Sequence, residues 1–179
     1  MSITQTLIGE SIAQAMLAEF ETQAPITRRF LERLPEDKLT WKPHEKSMTA
    51  GQLAYHIAST PGGIVRFALS NPAQVPDFAE FPQPASSGEI LQKFDESVAA
   101  VHEILPTIDD AAMNETWRLM AGEKELLAQA RSQFLRDVLF SHIYQHRGQF
   151  SVYLRILNIA VPASWGPSAD EPPLFMQRG

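Results

Sequence analysis

SHIYQHRGQ, residues 141–149, sets His142 and His146 four apart inside a run, about residue 130 to 157, that has the three-and-four spacing of an amphipathic helix. At about 100° per residue, Leu135, Leu139, His142, His146, Gln149, Tyr153 and Leu157 fall within about a third of a turn of one another. The spacing predicts one buried stripe with both imidazoles at its centre. A buried ring nitrogen without a partner costs on the order of 1–3 kcal/mol. Either neighbouring polar groups satisfy these rings, as in an ordinary core histidine, or the i, i+4 pair shares one metal ion.

Working outward, helical periodicity recurs along the chain. Leu17, Phe20, Ala24, Thr27, Leu31 and Leu34 predict a first helix from about Thr4 to Arg33, with Pro25 expected to kink or break it near Gln23. The charged, proline-bearing stretch 35–46 is a connection. Ser47 or Thr49 then caps a second helix with Leu53, Ile57, Ile64 and Phe67 facing inward, expected to be kinked or interrupted at Pro61-Gly62-Gly63 soon after His56. Residues 71–87 have no periodicity and are expected to cross over, so that the third helix runs parallel to the second. That third helix is capped at Ser86 or Ser87, carries Leu91, Phe94, Val98, Val101 and Leu105 in heptad spacing, and stops at Pro106. Between Ile108 and Leu127 the pattern fits two short extended pieces around Gly122 or a further turn of helix. The expected architecture is all-α, a bundle of four helices in a single domain over residues 1–179.

Composition narrows the function classes. The 179 residues hold 15 basic and 21 acidic side chains, a net charge of -6, with no Lys/Arg cluster to track phosphates, so nucleic acid is not an expected partner. No stretch approaches the roughly 20 apolar residues that span a bilayer, and the N-terminus lacks the form of a secretion signal, so no membrane association and a cytoplasmic location are expected. The absence of cysteine removes disulfides, thiolate ligands and a protein-borne thiol nucleophile. A metal here would be held by nitrogen and oxygen.

A third histidine fits the pair. His56 lies beside Leu53 and Ile57 at the border of the second helix's inward face, where it can point into the same space. Three neutral imidazoles leave an ion its full charge and an open position, which suits catalysis better than a closed structural site. His44, in WKPHEKS, and His102, flanking the heptad seam, are expected to be solvated.

The residues Leu39-Thr40-Trp41-Lys42-Pro43, Ser47-Met48, Leu53, His56-Ile57, then His142-x-x-x-His146-Arg147-Gly148-Gln149, Tyr153-Leu154-Arg155 and Val161-Pro162 resemble the DinB-like superfamily from about residue 35 to 171. The tail Trp165–Glu171 is similar to the ending of one subgroup. The resemblance implies an up-down-down-up four-helix bundle with a long crossover, one divalent metal on His56, His142 and His146, and a homodimer. Relatives of known activity join low-molecular-weight thiols such as bacillithiol or mycothiol to small electrophiles, or isomerise a thiol adduct. The family name refers to induction by DNA damage and implies no polymerase.

Around the three histidines, Gln149 is a candidate to bond a ligand nitrogen or bound water, and Asp170 and Glu171 are candidates to orient an imidazole if the tail folds back. Arg147 lies about 100° from His146 and leaves the stripe, for an ion pair or packing. No side chain stands out as a dedicated general base. The expectation is a metal-dependent enzyme that activates a thiol or water against a small-molecule substrate. The expected ion is zinc or nickel, with iron or manganese as further candidates. The rival is a non-catalytic, stress-linked metal-binding or dimerisation protein, favoured if a carboxylate such as Asp170 or Glu171 completes a closed site.

Overall fold

A computed structural model describes residues 10–76 and 81–176. The first helix, α1, runs Ile12–Leu31; the part of it expected before residue 10 lies outside the described residues. It opens on a reciprocal cap in which the Ser11 hydroxyl accepts from the Gln14 amide and the Gln14 side chain accepts from the Ser11 amide. Contrary to the expected break, α1 continues through Pro25. That residue is exposed, so the carbonyl it leaves without a donor faces water rather than the core.

Helix α2, Ala50–Phe67, has the same kind of cap, built by Thr49 and Gln52, and continues through Pro61-Gly62-Gly63. Support comes from the next long helix, α3, Ser87–Ile104, which is capped by Ser86. The Ser97 hydroxyl accepts from the Gly62 amide at 3.1 Å and donates to the Ser59 carbonyl at 3.1 Å, serving backbone groups beside the proline. A Cβ on Gly62 would stand 2.9 Å from Ser97 Cα, so only glycine permits this approach. As a result the buried line of α3 is Ile90, Phe94, Ser97, Ala100 and Val101, and the expected Leu91 and Val98 are only partly buried.

The chain is mostly helical as expected, but it is not purely all-α: a small three-stranded sheet is added to the helices. Strand β1, Ala73–Gln74, lies parallel to β2, Thr116–Ala121, which pairs antiparallel with β3, Lys124–Ala130. A short helix, α4, Asp110–Asn114, precedes the hairpin. Of the two readings of residues 108–127, the extended one holds: the chain turns at Gly122 with φ of 59°, a conformation that glycine adopts without a side-chain clash. The driving burial is Trp117, which is fully enclosed. Its ring stacks on Phe134 with centroids 3.9 Å apart, and its Nε1 donates to the Ser70 carbonyl at 2.7 Å. Arg131 locks the hairpin to the end of α2 by donating to the carbonyls of Ala68 and Ala112 and to the Glu115 carboxylate.

The last long helical run begins as α5, Arg131–Leu135, passes through a π-helical segment, Arg136–Ser141, and continues as α6, His142–Ile156. In the core, α2 packs on α3 and α6, and α1 packs on α3 and α6. Among the described residues, no helix is long and apolar enough to cross a membrane.

Candidate metal centre

The π segment sets the phase of α6. The His142 amide bonds to the Asp137 carbonyl five residues back, so this stretch winds more slowly than an α-helix and residues after it lag behind the α-helical count. The fully buried line is Leu135, Leu139, Ile143, Arg147, Phe150 and Leu154, whereas His142 and His146 are half-buried at its border. They were expected at the centre of the stripe; one wide turn moves them to the edge, where they meet α2.

His56 of α2 reaches the same point. His142 Nε2 lies 2.7 Å from His146 Nε2 and 3.2 Å from His56 Nε2. The edge of Phe81 closes on the His56 ring, centroids 5.3 Å apart. On the far side of His146, Nδ1 lies 3.0 Å from Gln149 Oε1; an amide oxygen there accepts the Nδ1 proton and leaves Nε2 with a free lone pair. Gln149 is itself exposed, bonding the imidazole from outside rather than from the inward face expected of it.

Three neutral rings cannot satisfy one another in this geometry. If His142 Nε2 carries its proton, it serves one neighbour and leaves Nδ1 bare; if Nδ1 carries it, the Nε2 lone pairs of His142 and His146 face each other at 2.7 Å. Nδ1 of His142 is buried with no well-formed hydrogen bond, although the Val138 backbone stands close enough to favour the charged ring in part. A cation between the three nitrogens would resolve the convergence. Nitrogens about 2.0–2.1 Å from a tetrahedral ion stand about 3.3 Å apart, which the 3.2 Å pair matches and the 2.7 Å pair approaches by a small opening. Electrostatics favour the neutral rings that coordination needs. Burial, then the charges His146 and His142 would carry, pushes His56 down to about 4. Burial and His146 lower His142 in the same direction. Among the described residues these three histidines form a group able to hold a metal.

The other sequence candidates lie elsewhere. Asp170 pairs with Arg155 and accepts from the Val161 amide, and Glu171 pairs with Arg29 and Arg33 and accepts from the Ala163 amide. The tail does fold back, but onto arginines of α1 and α6, so these carboxylates orient the tail and not an imidazole. Arg147 packs against a neighbouring segment, one of its two expected roles, but does so from within the buried line, donating to Gln23 Oε1 of α1 at 2.9 Å and Thr27 Oγ1 at 3.2 Å. His44 and His102 are exposed. Missed by sequence reasoning is the cavity beside the centre, about 970 Å3, whose wall includes His56, His142 and the inner side of the β2–β3 hairpin. The doubtful span 108–127 held its only signal.

Comparison with known proteins identifies the fold and the family. The sequence pattern of the DinB superfamily matches residues 19–150. The uncharacterized protein YrdA of Bacillus subtilis (strain 168) is 24% identical over 159 residues, covering 87% of this chain and 89% of that protein. Crystal structures share the fold: a DinB-like protein of Bacillus cereus ATCC 10987, with a TM-score of 0.68 at 20% identity, covers 87% of this chain and 98% of its own. Another, the DinB-like protein YjoA of Bacillus subtilis, has a TM-score of 0.63 at 17% identity over 83% of this chain and 96% of its own. With the family pattern matched over most of its length, the chain belongs to the DinB superfamily.

Proposed function

We propose that this protein is a metal-dependent enzyme that presents a low-molecular-weight thiol or a water as nucleophile to a small substrate. The observation that carries the reading is the convergence of three Nε2 atoms beside a large, mainly apolar cavity. His56, His142 and His146 would hold a divalent ion, zinc or nickel before iron or manganese, which when bound would supply a Lewis acid able to lower the pKa of a thiol or water toward neutrality. The chain's own work is to keep the His56 and His142 rings neutral by burial, to fix the His146 tautomer through Gln149, and to shield the site with Phe81 and the cavity wall. With thiol the outcome is S-transfer; with water it is hydrolysis.

The same reading takes the four long helical runs as an up-down-down-up bundle, the protein as a cytoplasmic homodimer, and the ligand as a small molecule. A fourth protein ligand would favour a non-catalytic role instead, but Asp170 and Glu171 are committed to arginines. The test is elemental analysis of protein purified from its own host, followed by a screen of small thiols with electrophiles and of hydrolysable esters and amides. About one ion per chain together with turnover supports the proposal. Protein without stoichiometric metal overturns the site, and a loaded protein inactive on every combination leaves the non-catalytic role.

A further inference from the structure

The cavity beside the histidines has a recognition chemistry of its own. At about 970 Å3 it is near the upper end of small-molecule sites, roughly 300–1,000 Å3. Ile64 and Phe67 of α2, Leu119 and Leu127 of the hairpin, and Phe134 and Val138 of the last helical run make most of its wall apolar. Three charged side chains also line it: Arg66, Lys93 and Glu96. Lys93 Nζ stands 3.1 Å from Glu96 Oε2, and Gln92 donates to the other oxygen at 3.2 Å, so these two charges cancel locally.

Arg66 is left as the excess cation. Its Nη1 donates to the Gly62 carbonyl at 3.2 Å, which holds the exposed guanidinium at the cavity; among the described residues no salt bridge to a carboxylate reaches it, although its charge also acts on the Glu96 carboxylate, so that the two cations together outweigh the one anion. A guanidinium has five N–H donors in a planar fork that matches a carboxylate, and four remain for a ligand.

The geometry points to a small amphiphilic anion as the ligand of this cavity, with an apolar body against Ile64, Phe67, Leu127 and Phe134 and one carboxylate on Arg66. The placement leaves the remainder of the molecule beside His56 and His142. Calling this ligand a substrate rests on the metal-dependent reading above; the recognition rests on Arg66 and the apolar wall alone.

Calorimetric titration of the metal-loaded protein with 4-phenylbutyrate, 4-phenylbutanol and 4-phenylbutylamine tests it. The acid should bind about tenfold tighter than the alcohol, the margin of a charged hydrogen bond, and the amine most weakly. Arg66→Gln should bring the acid to the level of the alcohol while leaving the alcohol unchanged, which also shows that the variant is folded. The same pattern is expected after the protein is stripped with EDTA. Equal binding of acid and alcohol to the wild type, or no binding of either, overturns the inference. So does an acid preference that survives Arg66→Gln and disappears on stripping. That result would place the carboxylate on the metal and leave the proposed function standing. Conversely, an Arg66-dependent preference in a protein that takes up no metal would sustain the inference while the metal reading fails.

Discussion

Arg147 and His142 project polar atoms from the same helix, and their surroundings are opposite. Arg147 lies the deeper of the two, yet its needs are met by Gln23, Thr27 and the face of Tyr144, 5.4 Å from the guanidinium. His142 is only half-buried, yet Nδ1 lacks a well-formed bond and Nε2 is crowded by two other lone-pair donors. Burial depth therefore does not identify the functional group. Unmet valence does: the satisfied cation ties α1 to α6, whereas the frustrated imidazole marks a place for something not supplied by the chain.

The sharpest way to break this contrast is to remove one side at a time. His142→Ala or His146→Ala should reduce metal from about one ion per chain to almost none, with helical circular dichroism retained, because the core rests on the apolar lines. Full metal content in either variant would end the distinction. Arg147→Ala should do the reverse, leaving metal content intact while lowering unfolding free energy by about 3 kcal/mol, since Gln23 and Thr27 lose their partner and a void opens between α1 and α6. A loss below about 1 kcal/mol in urea titration would show that Arg147 is not the tie described.

Acidity offers a third route. In the metal-free protein His56 titrates near 4 when folded and near 6.5 when unfolded. Between those values the unfolded chain binds more protons, so stability declines as pH falls from 6.5 to 4 and is unaffected by this group above 6.5. After allowance for solvent screening the loss is on the order of 2 kcal/mol, and His142 adds to it in the same direction. Urea titrations at pH 7.5, 5.5 and 4 should show a decline that His56→Gln flattens; parallel profiles for the two proteins would contradict the assignment. The smallest expected effect is at Gln149. Gln149→Ala should weaken metal affinity about tenfold and leave stability within about 0.5 kcal/mol, as suits an exposed residue that only steers a ring.

What the sequence revealed and what it hid follow from physics. Apolar spacing locates α1 and the last helical run, and capping residues add to it for α2 and α3, because each signal is local: Thr49 and Ser86 stand at the caps, and His56 and the 142/146 pair stand on the helices expected of them, whereas the Ser11 cap that starts α1 later than the expected Thr4 went unread. The inward line of α3 was misjudged because its contact with α2 is made by Gly62, Ser97 and Ala100, small residues that an apolar pattern overlooks. The hairpin stayed ambiguous because its chief stabilising element, Trp117 stacked on Phe134, joins residues from different elements. The carboxylates of the tail were candidates for an imidazole only if the tail folds back; it does fold back, but onto arginines, and nothing local distinguishes an arginine from an imidazole as their target.

The wide turn at Arg136–Ser141 acquires another meaning when treated as a length rather than a shape. A π segment holds one residue more than α-helical winding requires. Deleting a single codon there would restore ordinary winding and leave composition and apolar content almost unchanged, and because the residue lost is the one the wide turn absorbs, His142, His146 and Arg147 would keep nearly their present phase against Arg131 and the hairpin. The same deletion between His142 and Arg147 has no wide turn to absorb it and would swing the residues after it by about 100°, carrying His146 away from His142 and Arg147 away from Gln23 and Thr27. For descendants of this chain, the turn at Arg136–Ser141 is thus where a change of length is most easily absorbed, and its spare residue is a record of length that no single side chain there displays.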